Sequence, residues 1–514
     1  MRILTMPFLL LSLFLVPPSH AAITPVDVMT MGAYSMYPPI AHEFSRNIGI
    51  HNDSEYIMVI SGGLYLLTST NGTTWNGQAV TLTRTYGSGG SPNNHHGIYG
   101  DLNGNVYWTY VWGCQGRLGI VVPRYFMKAS YRDGALNVST ARVITDSMNH
   151  VPNFFCSYTG FGGYALGEDT MVFAYQWTDN IGDEYPHVLI TRDAGLSFEP
   201  LGGLVAVDSA HHQPDASGWG MNQAPQVVKY KTGIMAVWTV GYVFRYRYFD
   251  GTSWGPVNSI SGSPSSSSGA AAFRLNSDEN NVYLLTMSND GSQTLISFIY
   301  NGSTWVKQGL VLNQSYSIYN VVNTICGDYV LNFWTHIGTN GTDILCLPYN
   351  RLTGTFAANP VTVIADGKGN RNLVAPYVCP MGFVPLAWMD GATTTDKIKF
   401  CKIPLEDLVS GSTSAEKRLS EEKAIFPALK GQPNPFNGST ILTYHLSKKS
   451  EIRLTVYNTE GKKVASLVDG QQGAGTYRIS WNPGQLAPGV YFARLLMGER
   501  QYVEKLAMTT TSGK

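Results

Sequence analysis

Short apolar runs separated by polar turns recur along most of the chain. Seven of them stand out, at residues 56–60, 106–111, 171–177, 234–240, 282–287, 329–335 and 383–389. Each is preceded by another short strand-like segment and followed by one or two more, and no stretch of useful length shows helical periodicity. Units of four strands repeating at about 40–50 residues are the sequence pattern of a β-propeller; the unit here is slightly longer. The pattern therefore predicts an all-β chain whose residues 23–405 form a propeller, with the clear repeats starting near residue 35. Seven blades are expected, and six or eight are the alternatives because the first and last copies are least distinct.

A turn motif runs in phase with these strands. Thr191-Arg192-Asp193-Ala194-Gly195-Leu196-Ser197-Phe198 has the form Ser/Thr-x-Asp-x-Gly-x-Ser/Thr-aromatic. The Asp side chain is suited to bond backbone amides of a hairpin turn, the Gly to positive φ, and the ring to close the turn on neighbouring strands. Copies without that Asp are Gly72-Thr73-Thr74-Trp75, Gly251-Thr252-Ser253-Trp254, Gly302-Ser303-Thr304-Trp305 and the shorter Gly354-Thr355-Phe356. The aromatics from Phe198 onward fall 56, 51 and 51 residues apart. The gap from Trp75 to Phe198 leaves room for one more unit, with Asp133-Gly134 near its midpoint. Together the turns and strands resemble the sialidase-like superfamily and its BNR-repeat relatives. That resemblance implies a propeller with these turns on its periphery, away from an axial site.

Beyond residue 405 the pattern changes. Residues 406–432 carry Ser410-Gly411-Ser412-Thr413-Ser414 and a charged run from Glu416 to Lys423, and read as a linker. Alternating segments at 441–446, 452–457, 463–468, 477–481, 490–496 and 502–508, with a hairpin turn at Glu460-Gly461, predict an immunoglobulin-like sandwich over 433–508. The same stretch holds Asn434-Pro435-Phe436-Asn437, Val456-Tyr457-Asn458, Gly475-Thr476-Tyr477, Trp481, Leu486-Ala487-Pro488-Gly489-Val490-Tyr491 and Lys505. In this order these motifs resemble the type A C-terminal sorting domain of the bacterial type IX secretion system. The resemblance implies that the secretion machinery is a partner and that the protein is secreted or held at the outer surface of a Gram-negative cell.

The other end agrees with export. Arg2, an apolar run at 6–16 and Pro17-Pro18-Ser19-His20-Ala21-Ala22 read as a cleaved signal peptide over residues 1–22, the run being too short for a membrane span. No other stretch is long and apolar enough to span, so no membrane span is expected in the mature protein.

Charge is balanced at 35 basic and 35 acidic residues, which argues against nucleic acid as a partner. Only 14% of residues are charged, whereas 12% are aromatic and 54 are Gly, a profile that suits an extracellular β protein rich in tight turns. The six cysteines, at 114, 156, 326, 346, 379 and 401, permit disulfides in an exported chain, and their spacing leaves the pairing open between disulfides and buried thiols. No zinc-type CxxC, phosphate loop or Gly-x-Ser-x-Gly is present, so no metal or other cofactor is expected.

In a propeller the residues entering each innermost strand form the mouth of the channel. Here these are Tyr37-Pro38-Pro39, Asn93-Asn94-His95-His96, Asn149-His150, Asn222-Gln223, Gly269-Ala270-Ala271, Tyr319-Asn320 and Asn370-Arg371-Asn372. Such a ring of amides, imidazoles and one guanidinium suits hydroxyl-rich or carboxylated ligands. His95-His96 followed by Asp101-Leu102-Asn103-Gly104-Asn105-Val106-Tyr107 resembles a blade start of BNR-type polysaccharide lyases such as ulvan lyases. The resemblance implies an extracellular polysaccharide as partner, with His95, His96 or His150 as the base that removes the proton beside a uronate carboxylate. Arg371 would neutralise that carboxylate. Asn94, Asn149, Asn222, Asn320 and Asn372 are the candidate substrate-binding amides. The chain departs from those lyases where they place a further His, having Gly113-Cys114-Gln115 instead, and a non-catalytic adhesion or protein-binding propeller is the alternative. His211-His212 lacks a spaced third metal ligand and reads as a solvated loop. Sialidase chemistry would draw on arginines such as Arg46, Arg245, Arg247, Arg274 and Arg371. The usual Phe-Arg-Ile-Pro start is missing, and Arg245/Arg247 read as a solvent-facing stripe.

Overall fold

The computed structural model describes residues 25–30, 46–60, 65–80, 82, 92–112, 124–144, 161–178, 184–202, 225–240, 243–263, 273–278, 280–287, 294–310, 318–338, 341–380, 382–390, 397–409, 429–446, 450–473, 475–497 and 500–509. The chain is all-β, with many four-stranded antiparallel sheets and, among the described residues, a single short helix, Leu405–Val409.

The apolar runs found in the sequence are the second strands of seven successive sheets: Glu55–Ile60, Asn105–Trp112, Met171–Thr178, Gly233–Val240, Val282–Met287, Tyr329–Gly338 and Phe383–Asp390. They are mainly apolar because most of their residues are buried between neighbouring sheets. Trp108, Trp238, Trp334 and Trp388 on these strands are all fully buried. One edge of each sheet is its innermost strand: Ile48–His51, Pro92–Gly100, Phe161–Ala165, Gln226–Tyr230, Phe273–Ser277, Ile318–Cys326 and Arg371–Val374. Each of the first six touches the innermost strand of the next sheet. Gly100 permits one such approach, since a Cβ there would lie 2.1 Å from the carbonyl oxygen of Ile48.

The succession closes on itself. Ile48, Tyr56 and Ile60 of the first sheet share a core with Ala387, Ile398 and Phe400 of the seventh. The outermost strand of the seventh sheet is Val26–Thr30 from the N-terminal side of the chain, paired antiparallel with Lys397–Pro404. Asp27 there meets Lys397 Nζ at 2.6 Å and also accepts from Lys399. These two lysines hold its carboxyl down at about 2, the Lys397 hydrogen bond being the larger cause.

The turn motif does what its residues suggest. Asp193 accepts from the Ser197 amide (2.9 Å), the Ser197 hydroxyl (2.5 Å) and Thr191 Oγ1 (2.9 Å), which holds its pKa at about 2. Gly195 adopts φ +87°, and Phe198 packs on Phe126 and Phe173. The copies without that Asp use another side chain for the same task. Asn71, Asp250 and Asn301, each just before the glycine, accept from amides two and three residues on, and Asn350 does so in the shortened copy. Asp133-Gly134 is the turn of the missing unit, with both residues at positive φ.

The C-terminal part packs a three-stranded sheet (Lys430–Gln432, Thr440–Leu446, Gly475–Trp481) on a four-stranded one (Lys463–Gln472, Ser450–Asn458, Gly489–Met497, Arg500–Met508). Its core contains Phe436, Leu442, Leu454, Val456, Trp481, Tyr491 and Leu506. Asn434 and Phe436 lie along the last strand. Asn434 Nδ2 donates to Lys505 O (2.6 Å), the Ala507 amide donates to Asn434 Oδ1 (2.9 Å), and the Phe436 amide donates to Ala507 O (2.9 Å). Tyr491 turns its hydroxyl back to Ala487 O at 2.5 Å.

Candidate functional site

Of the candidate residues, six fall on innermost strands, in a form the sequence did not anticipate. Asn94, His95 and His96 were expected on a loop; their backbones lie inside the strand Pro92–Gly100. Asn320 lies in Ile318–Cys326, and Arg371 and Asn372 open Arg371–Val374. In all three places the ladder is broken. Register shifts fall between Asn93 and His96, between Ile318 and Val321, and between Arg371 and Val374. The expectation that these residues precede their strands is therefore corrected: Asn94, His95, Asn320 and Asn372 lie within β-bulges near the strand starts, and His96 and Arg371 are paired at the edges of those bulges. The side chains of Asn94, His95, His96, Asn320 and Arg371 lie outside the described set, as do Asn149, His150, Asn222, Gly113-Cys114-Gln115 and His211-His212 altogether. Asn372 is half-buried at φ +56°, and its Nδ2 meets Met389 Sδ at 3.3 Å. A non-Gly residue in the left-handed region is uncommon and costs free energy that its surroundings must offset.

Further along the same strands the axis is filled. Tyr99 and Tyr164, on the innermost strands of the second and third sheets, and Tyr377, just after Arg371–Val374, meet with every pair of ring centroids 5.1 Å apart. Tyr377 also donates from its hydroxyl to Gly163 O (3.1 Å), and its own carbonyl accepts from Asn276 Nδ2 (2.8 Å). Arg46 lies over the Tyr377 ring at 4.2 Å and donates to Leu275 O (3.0 Å), Asn323 Oδ1 (2.5 Å) and Asn323 O. Gln226 binds Phe273 O (2.6 Å) and the Leu275 amide (3.0 Å). These bonds join sheets far apart in sequence, so the cluster is a floor across the middle of the ring.

Arg46 and Arg274 are both 1% exposed. Burial lowers the Arg46 pKa, with Tyr377 and Tyr164 opposing. Burial raises that of Tyr377, with Arg46 and Arg274 pulling it back. The buried Arg46 guanidinium, held by backbone and amide carbonyls and by the Tyr377 ring, gives this region a positive charge. The sequence had named both only as arginines available to sialidase chemistry, and it missed the tyrosines. Arg245 and Arg247 lie half-buried on the third strand of their sheet, away from this cluster.

Among the described residues one grouping has metal-ligand types within reach: His51, Glu55 and Asp133. Glu55 is already engaged through both oxygens, by His51 Nδ1 (2.7 Å) and by the amides of Asp133 (2.8 Å) and Gly134 (2.7 Å). It ties the first sheet to a turn of the second. A cavity of about 420 Å³ beside it, lined in part by His51, Arg132, Glu168 and Arg478, lies at the opposite end from the bulges.

Residues 432–509 match the family of the secretion system C-terminal sorting domain. This identifies the C-terminal sandwich as a type IX sorting domain and the protein as one secreted from, or attached to the surface of, a Gram-negative bacterium. None of the curated proteins matches the chain. Among solved structures, a mutant Trypanosoma rangeli sialidase displaying trans-sialidase activity is similar at 9% identity and TM-score 0.43, over 94% of this chain and 89% of that one. A prolyl endopeptidase is similar at 12% identity and TM-score 0.40, over 91% and 55%. The catalytic domain of a Coprinopsis cinerea α-L-arabinofuranosidase is similar at 11% identity and TM-score 0.29, over 48% and 89%. Similarity this slight assigns no activity, ligand or site. No helix among the described residues is long and apolar enough to cross a membrane.

Proposed function

We propose that residues 23–405 form a seven-bladed propeller with BNR-type turns, followed by a linker over 406–432 and an immunoglobulin-like sorting sandwich over 433–508. The propeller binds an extracellular polysaccharide at the end where its innermost strands begin, and acts on uronate units there. His95 or His96, with His150 from the next blade, takes the proton beside the carboxylate. Arg371 neutralises the carboxylate, and Asn94, Asn149, Asn222, Asn320 and Asn372 bind hydroxyls.

The observation that supports this reading is the recurrence of register breaks at the same end of three innermost strands, each at a polar candidate. Bulges concentrate where a strand must re-aim side chains for function, and nothing in the packing of a regular ring requires three of them at one rim. The positive charge of the buried Arg46 in the floor favours a carboxylated ligand over a neutral one. The test is incubation of the full chain with ulvan, pectin, alginate and glycosaminoglycans, following ultraviolet absorbance of the unsaturated product. A rise with one uronate polymer is expected; no rise with any of them would end the lyase reading.

A non-catalytic adhesion propeller is the second reading. It is favoured by the departure from the lyase pattern at Gly113-Cys114-Gln115, where those enzymes place a further His. Polysaccharide binding without product would select it.

A further inference from the structure

Cys326, Cys346, Cys379 and Cys401 are free thiols buried in one core, where the sixth and seventh sheets meet. Two of them are set apart by the backbone. Ile325 and Val378 form a parallel bridge: the Ile325 amide donates to Tyr377 O (3.0 Å) and the Cys379 amide to Ile325 O (2.8 Å). In a parallel pair the residues that follow each partner are again opposite one another, with side chains on the same face. The bridge is isolated and is not extended beyond Ile325 and Val378, and Cys326 and Cys379 follow it directly, at an inter-strand spacing of about 4.8 Å. That lies inside the Cα separation that a disulfide spans, about 4.4–6.8 Å. Their sulfurs occupy one small environment. Cys326 Sγ faces Pro380 O (3.5 Å) and Phe383 O (3.7 Å), and Cys379 Sγ lies 3.0 Å from Thr324 Oγ1. Burial pushes the Cys379 thiol up, and Cys326 beside it adds to the effect.

We propose that Cys326 and Cys379 form a disulfide in the exported protein. The sorting domain sends this chain out of the cytoplasm, through a compartment where thiols are oxidised by protein disulfides. The step is thiol–disulfide exchange. Each cysteine loses its proton, one S–S bond forms, and the electron pair passes to the disulfide of an exported oxidoreductase, which leaves as a dithiol. Because both sulfurs are buried in the folded ring, exchange takes place before the seventh sheet docks. The bond then staples the sixth sheet to the segment carrying Tyr377, two residues before Cys379, and so braces the floor beneath the candidate site. Cys346 and Cys401 share the core without such a backbone bridge and remain thiols.

The test uses full-length protein collected outside the cell, alkylated under denaturing conditions without reductant and mapped by mass spectrometry. The expected result is a linked peptide pair containing Cys326 and Cys379, about two hydrogens lighter than the reduced pair. Reduction is expected to lower the ring's Tm by roughly 5 °C, as closing a loop of this length should. C346S should keep the linked pair, whereas C326S should leave Cys379 alkylated. Alkylation of both Cys326 and Cys379 in wild-type protein, or linkage of either to another cysteine, would overturn the proposal.

Discussion

The ring and the sorting sandwich are both antiparallel β structures, yet they expose their purpose to different degrees. In the sandwich the residues that mark the family are also residues that hold the fold. Asn434 and Phe436 bond the last strand, Trp481 and Tyr491 fill the core, and Asn458 caps the turn at Gly461 through the amides of Glu460 and Lys462. In the ring the residues that hold the fold, such as the buried tryptophans and the Asp193 turn, lie away from the residues that would meet a ligand. A motif read from sequence therefore identifies function where fold and function share side chains, and identifies only architecture where they do not.

The sharpest way to separate the two regions is to remove one. Deleting residues 433–514 is expected to leave the ring folded and to abolish its appearance outside the cell. Cell fractionation with a thermal melt of the retained protein checks both halves; normal export of the truncated chain would break the comparison. Next in size are core truncations. Phe436→Ala should destabilise the sandwich by about 3–5 kcal/mol and reduce export, while leaving the ring's transition in place. Tyr377→Ala should cost the ring a similar amount and spare the sandwich. Tyr377→Phe removes only the hydroxyl bond to Gly163 O and should cost about 1 kcal/mol. Denaturant titration that resolves two transitions would measure all three.

The smallest effect concerns ring closure. Asp27 has a pKa held at about 2 in the folded state against an ordinary 3.8. A depressed carboxylate contributes stability above its ordinary pKa and loses it as pH falls from 3.8 toward about 2. Asp27 is 45% exposed, so solvent screening limits the contribution to at most about 1 kcal/mol. Asp27→Asn should lower the ring's Tm slightly at neutral pH and progressively less as pH falls through about 2, and added salt should shrink the difference. A difference that survives at low pH would assign the effect to something other than the lysine pair.

Much of the ring was legible in sequence. The second strand of each sheet is mostly buried between neighbouring sheets, so it stays mainly apolar and announces the repeat. The turn at Thr191–Phe198 was readable because its hydrogen bonds need particular side chains. The weaker copies hid their capping residue one place before the glycine, where Asn71, Asp250 and Asn301 do the work of Asp193. The bulges at Asn94, Asn320 and Asn372 left no hydrophobic signature, because an extra backbone residue changes register and not composition. The floor of Tyr99, Tyr164, Tyr377 and Arg46 was hidden for another reason: its members lie dozens to hundreds of residues apart, and each reads alone as an ordinary residue in or beside a strand.

The site itself is tested most directly by affinity electrophoresis of the full chain through gels containing each uronate polysaccharide, comparing wild type with the H95A/H96A/R371A variant. Wild type should be retarded by at least one polymer, and the variant should bind it at least about tenfold more weakly with an unchanged thermal melt. Equal retardation of both proteins would place any binding elsewhere on the surface, and free migration of wild type through every gel would contradict a polysaccharide site at the mouth of the ring.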